Sequence, residues 1–238
     1  LDSAVTAESA GADRVELCAN LLEGGVTPSA GLIEEVRRSV SLKLHVMIRP
    51  RGGDFSYTDS ELRVMERDIT AAKQLGADAV VLGLLDANGA VDASKTARLL
   101  ELARPMKVTF HRAIDMSRNP LKSLETLIAL GVDYVLTSGA QQTAIEGAAN
   151  IARMVRAARG RIAVMAGSGI DARNVRSLIA QTGVTQIHVG LSETVPGPMK
   201  YRNNRISMGR AQGREYARFR VSKHRLEKLI AATRTASA

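Results

Sequence analysis

Tryptophan is absent, aromatic residues make up 3% of the chain, and cysteine occurs once, at Cys18. A surface so poor in rings offers no stacking platform for bases or sugars. A single cysteine excludes an intrachain disulfide and is compatible with a reducing cytoplasm. No apolar stretch approaches the roughly 20 residues of a membrane span, and the start of the chain does not read as a signal peptide. What remains is 238 residues, 45% of them hydrophobic, enough for one large α/β domain with a sizeable core.

An excess of basic charge is present, +9 overall, but it is local. From Lys200 onward there are 11 Lys/Arg against 2 Asp/Glu, whereas the first 199 residues hold 22 of each sign. Arg214, Arg218, Arg225 and Lys228 lie among apolar Ala217, Val221, Leu226 and Ile230, a pattern that predicts an amphipathic helix with a solvated basic face. No nucleic-acid-binding motif accompanies the charge, so a nucleic-acid partner is not expected.

The rest of the chain repeats one unit: an apolar, β-branched strand followed by a helix. The expected strands are Arg14–Ala19, Leu44–Arg49, Ala79–Leu85, Lys107–Arg112, Tyr134–Gly139, Ile162–Gly167 and Gln186–Gly190. The expected helices are Ala4–Ala10, Ala30–Ser39, Asp59–Leu75, Ala93–Ala103, Pro120–Leu130, Thr143–Ala158 and Ala172–Gln181. Gly11, Gly76 and Gly131 each open a Gly–Ala–Asp or Gly–Val–Asp step, the sign of a helix C-cap leading into the next strand. Alternating βα units imply a parallel sheet with right-handed crossovers. The expected fold is an α/β (β/α)₈ TIM barrel whose first strand is truncated or missing at the N-terminus. It forms a single domain over residues 1–238, with a basic C-terminal loop and helix from about 200.

The segment LHVMIRPRGGDFSY, Leu44–Tyr57, carries the strongest functional signal. Leu44, Val46 and Ile48 alternate with His45, Met47 and Arg49, so one strand face is aliphatic and the other polar. Pro50 ends the ladder for want of an N–H. Arg51, Gly52, Gly53 and Asp54 then form a loop that lets backbone approach a ligand, and guanidinium groups suit oxyanions. The same residues also fit a polar turn with surface arginines.

In a (β/α)₈ barrel the strand C-termini form the active site. Strand phase puts Glu16, Cys18, His45, Arg49, Thr109, His111 and His188 on the face away from the aliphatic residues, hence inside the barrel. Glu16, Arg49 and His111 are the candidate catalytic residues, sharing one cavity; the alternative is an internal salt bridge that fixes the barrel. His45 lies lower on its strand and reads as core. Ala166–Ile170, AGSGI, precedes a helix, so Gly167, Ser168 and Gly169 join Arg51 and Asp54 as a candidate anion site. A tight βα turn capped by Asp171 accounts for the same glycines.

Several segments in order resemble one family: GADRVELCANLLEGGVTPS (Gly11–Ser29), IRPRGGDFSYTDSE (Ile48–Glu61), VTFHRAIDM (Val108–Met116), VLTSGA (Val135–Ala140), VMAGSGI (Val164–Ile170) and YRNNRISM (Tyr201–Met208). Their order, spacing and wording are similar to the CutC copper homeostasis family. The resemblance implies a cytoplasmic TIM barrel, here a homodimer or homotetramer, with a role in copper tolerance and copper as its ligand. The chain departs from the family at its start, where the family has its first strand.

Cu(I) prefers two or more converging thiolate or thioether ligands. This chain offers Cys18, with Met47 on an inward phase one strand away and His111 further round; Cys18 and His111 are the candidate metal ligands. A lone cysteine is also commonly a small buried hydrophobe. Two readings follow: a CutC-type copper-handling protein, or a TIM-barrel enzyme whose substrate is a small anionic or phosphorylated metabolite. In the second, Arg49 would hold the anion and Glu16 or His111 would move a proton.

Overall fold

The computed structural model describes residues 1–203, 205–208 and 214–234. Helix α1 (Asp2–Ser9) leads into β1 (Arg14–Leu17). Six further helix–strand units follow: α2 (Ala30–Ser39) and β2 (Lys43–Met47), α3 (Asp59–Gln74) and β3 (Ala79–Leu82), α4 (Ala93–Ala103) and β4 (Lys107–Phe110), α5 (Pro120–Ala129) and β5 (Tyr134–Thr137), α6 (Ala148–Ala158) and β6 (Ala163–Gly167), α7 (Val175–Thr182) and β7 (Gln186–His188). All seven strands pair in parallel with their sequence neighbours, in the order β1 to β7. Each expected strand is present, most of them ending about two residues sooner, where the chain leaves the ladder for the mouth of the barrel.

The sheet curls until its edges face each other. Arg14 on β1 donates to the Gln186 side chain on β7 at 2.9 Å, and Glu16 lies 3.9 Å from His188. Seven strands are one short of a closed (β/α)₈ barrel, and the open seam between β7 and β1 is where a first strand would stand.

Two structural devices build this curl. Helices start at side-chain caps: Ser29 for α2, Asp92 for α4, Asn119 ahead of Pro120 for α5, and a Thr58/Glu61 capping box for α3. At the bottom of the barrel the recurring Gly–x–Asp step fastens one strand to the next. Asp78 accepts from the Leu44 N–H and binds Lys43 and Arg37; Asp133 accepts from the Val108 N–H and binds Lys107 and Arg104. The glycines ahead of them, Gly76 and Gly131, have φ of 82° and 77°, a conformation that only glycine adopts without penalty. Outward-facing Leu44, Val46, Ile48, Val80, Leu82, Val108 and Phe110 are buried against the helix ring. A fully buried side chain of this kind contributes about 1.5–3 kcal/mol.

The C-terminal region differs from expectation. Ala217–Val221 is not helical but a strand, β9, paired antiparallel with β8 (Ser192–Pro196). Ala217, Phe219 and Val221 alternate with Arg218 and Arg220, a period of two that the helical reading passed over. The helix, α8, begins at Lys223 and buries Leu226 and Leu229, keeping Arg225 and Lys228 on it. Residues 204, 209–213 and 235–238, part of the expected basic loop and helix, lie outside the described residues.

Candidate functional site

The C-terminal ends of the strands surround a cavity of about 1240 Å³, ample for a metabolite-sized ligand. Of the residues the sequence singled out, Glu16, Cys18, Arg49, Asp54, His111, Ser168 and Gly169 line it, and Arg51 and Gly167 do not.

Arg51 is committed elsewhere. Its Nε donates to Glu61 at 2.5 Å, its Nη2 to Asp54 at 3.2 Å, and its guanidinium lies over the Tyr57 ring. It therefore ties the glycine loop to the start of α3, with both carboxylates neutralised locally, and is not an open anion receptor. Gly167 sits one residue below the rim, where an added Cβ would come within 2.7 Å of Leu136. Ser168 holds a positive φ of 85°, and its hydroxyl donates to the Gln142 carbonyl. Asp171 binds Arg173 rather than capping a helix directly, because α7 starts only at Val175.

Arg49 is 5% exposed; both of its Nη atoms are engaged, while its Nε is buried without a partner. Nη1 donates to the carbonyls of Glu23 and Gly25 at 2.7 and 2.9 Å, and Nη2 to that of Gly53 at 2.9 Å. Its backbone exchanges hydrogen bonds with Thr27. Arg49 is thus the rivet joining the loop after β1 to the loop after β2. It does not present two open N–H pairs to an anion, although its charge remains at the mouth.

His111 stands beside Gly83, each one step beyond the Leu82–Phe110 pair that ends β3 and β4. A Cβ at position 83 would collide with the imidazole, so the glycine makes the room. His111 Nδ1 accepts from the Ala113 N–H at 3.1 Å, while Nε2 is buried without a partner. Burial, reinforced by the Arg49 charge, pushes its pKa down to about 3. The ring is therefore neutral at ordinary pH, with its proton on Nε2. In that arrangement Nδ1 is engaged by the Ala113 N–H and Nε2–H is a donor, so metal binding or proton transfer at His111 would require a change of tautomer.

On the other side of the mouth, Cys18 follows the Leu17–Val46 pair and so lies opposite Met47. Cys18 Sγ and Met47 Cε lie 3.3 and 3.6 Å from one point, the place a Cβ on Gly25 would occupy. Burial, with the Glu16 charge adding to it, pushes the Cys18 thiol up to about 11. Glu16 itself faces His188 across the seam.

The sequence reading gave too little weight to Asp115. It is almost fully buried and accepts from Thr137 Oγ1 at 2.5 Å, the Ser138 N–H at 2.9 Å and the Ala140 N–H at 3.0 Å, while pairing with Arg112. It holds the rim between β4 and β5. Its only sequence signal was an acidic residue four positions after His111.

The CutC family model matches residues 1–193. The chain belongs to the CutC family. The human copper homeostasis protein cutC homolog is 47% identical over 209 residues, covering 88% of this chain and 77% of its own length. A CutC family protein of Mesorhizobium japonicum is 44% identical over 217 residues, 91% of this chain and 84% of that one. A crystal structure of CutC from Streptococcus agalactiae superposes with a TM-score of 0.72 at 40% identity, covering 74% of this chain and 88% of its own. Membership agrees with the copper-homeostasis expectation and lends nothing to the alternative of a metabolite-processing enzyme. No helix among the described residues is long and apolar enough to cross a membrane.

Proposed function

We propose that this CutC chain serves copper homeostasis by holding Cu(I) as cargo between Cys18 and Met47 in the barrel mouth. The observation that supports the reading is the approach of Cys18 Sγ and the Met47 methyl to one point beside Gly25. A thiolate and a thioether are soft ligands, the kind Cu(I) selects. Among the described residues no group of three or more His, Cys, Asp or Glu converges. The donor set therefore fits a two-coordinate, exchangeable site rather than a closed structural centre. The raised thiol pKa means that copper must displace a proton to bind, which favours release when copper is scarce.

On the same reading the chain is a single domain that works in the cytoplasm as a homodimer or homotetramer. Leu21, Leu22, Met116, Tyr201 and Met208 are more than half exposed, apolar surface that assembly would cover. The test is X-ray absorption at the copper edge on the Cu(I)-loaded protein. Sulfur scatterers reduced in number by Met47→Leu are expected. A shell of nitrogen or oxygen only would refute the site.

A further inference from the structure

His111 carries a donor with nothing to receive it. Its Nδ1 is fixed by the Ala113 N–H, its Nε2–H is buried without an acceptor, and the residue lines the cavity. A buried hydrogen-bonding group left unpaired is costly, and native structures keep few of them without a reason. The fold goes out of its way to make this one: Gly83 vacates the space for the ring, and the Phe55 ring packs against it at 5.0 Å. Arg49 stands nearby, its guanidinium met by three carbonyl oxygens and set over the other neighbour of the site, Phe55. Arg49 brings a positive charge to this corner of a cavity whose wider lining also carries acidic Glu16, Glu23, Asp54, Asp86, Asp115 and Asp171. Its walls include apolar Leu85 and Leu136.

We infer that His111 Nε2–H is the fixed anchor for a carboxylate oxygen of a small organic acid, with Arg49 supplying the adjacent positive charge. The inference concerns binding alone and does not depend on the copper reading, since Cys18 follows β1, Met47 ends β2 and His111 follows β4. A carboxylate fits better than a phosphate. A phosphate dianion asks for several N–H donors at once, and here both Nη atoms of Arg49 are engaged, leaving only its buried Nε–H without a partner beside that of His111. The apolar walls suit the carbon skeleton of an organic acid.

The test uses the wild-type protein with ¹⁵N-labelled histidine imidazoles, followed by NMR, with pyruvate and inorganic phosphate as probes. His111 is expected to show the Nε2–H tautomer, and pyruvate to move that resonance saturably, in Cys18→Ser as in the wild type. Phosphate is expected to leave it in place. In calorimetry His111→Phe should weaken pyruvate binding about tenfold or more. An Nδ1–H tautomer, a resonance indifferent to pyruvate, or one moved as strongly by phosphate would overturn the inference. Because the decisive signals come from the unmutated protein, misfolding of His111→Phe would not obscure them.

Discussion

Gly83 and His111 are matched just beyond the ends of β3 and β4: the missing side chain of one is the space occupied by the ring of the other. Gly83→Ala should therefore cost about 1–3 kcal/mol, the usual penalty for overpacking a filled interior. Its φ is not in the left-handed region, so the cost is steric. Urea unfolding measures it. In a His111→Ala background part of the penalty should vanish, because neighbours that share a space are not additive; the remainder belongs to Ala113, whose Cβ would lie 2.9 Å from the new one. Equal losses in both backgrounds would show that the strain lies elsewhere.

Asp115 should behave as the keystone of the rim. Asp115→Ala leaves Thr137, the Ser138 and Ala140 amides and Arg112 without their common acceptor. A loss of about 3 kcal/mol or more is expected from buried donors left unpaired, with Asp115→Asn losing less. Thermal unfolding of both variants checks the order; an Asp115→Ala protein as stable as the wild type would contradict it.

How far the sequence could be read depended on which interactions were local. Strand phase is a property of the chain itself, so the inward placement of Glu16, Cys18, Arg49 and His111 followed from alternation alone. The seam at β1 followed from counting βα units. Partner choice is not local. Arg49 and Arg51 flank one proline and look alike in the sequence, yet one threads between two loops and the other reaches ten residues on to Glu61. The tautomer of His111 hangs on a single backbone N–H, which no residue pattern reports. At the C-terminus, basic and apolar residues alternated closely enough to fit either period, and pairing with β8 decided for a strand.

Two buried histidines set the pH response. Burial, then the Arg14 charge, holds His45 down to about 4, and His111 lies at about 3, both below the ordinary value of 6.5. The unfolded chain takes up these protons before the folded one does, so their contribution is complete above pH 6.5 and is lost progressively as pH falls toward 4. Folding free energy should fall by several kcal/mol over that window. His45→Phe should flatten the slope of the urea midpoint against pH; a slope left unchanged would show that His45 titrates normally.

The copper reading turns on whether Cys18 is indispensable. The direct measurement is an anaerobic competition titration of Cu(I) against a chromophoric chelator, on the wild type, Cys18→Ser, Met47→Leu and His111→Phe. The account predicts saturable Cu(I) binding that disappears in Cys18→Ser, weakens about tenfold in Met47→Leu through loss of one of two soft ligands, and is unchanged in His111→Phe. Wild-type affinity retained by Cys18→Ser would contradict it.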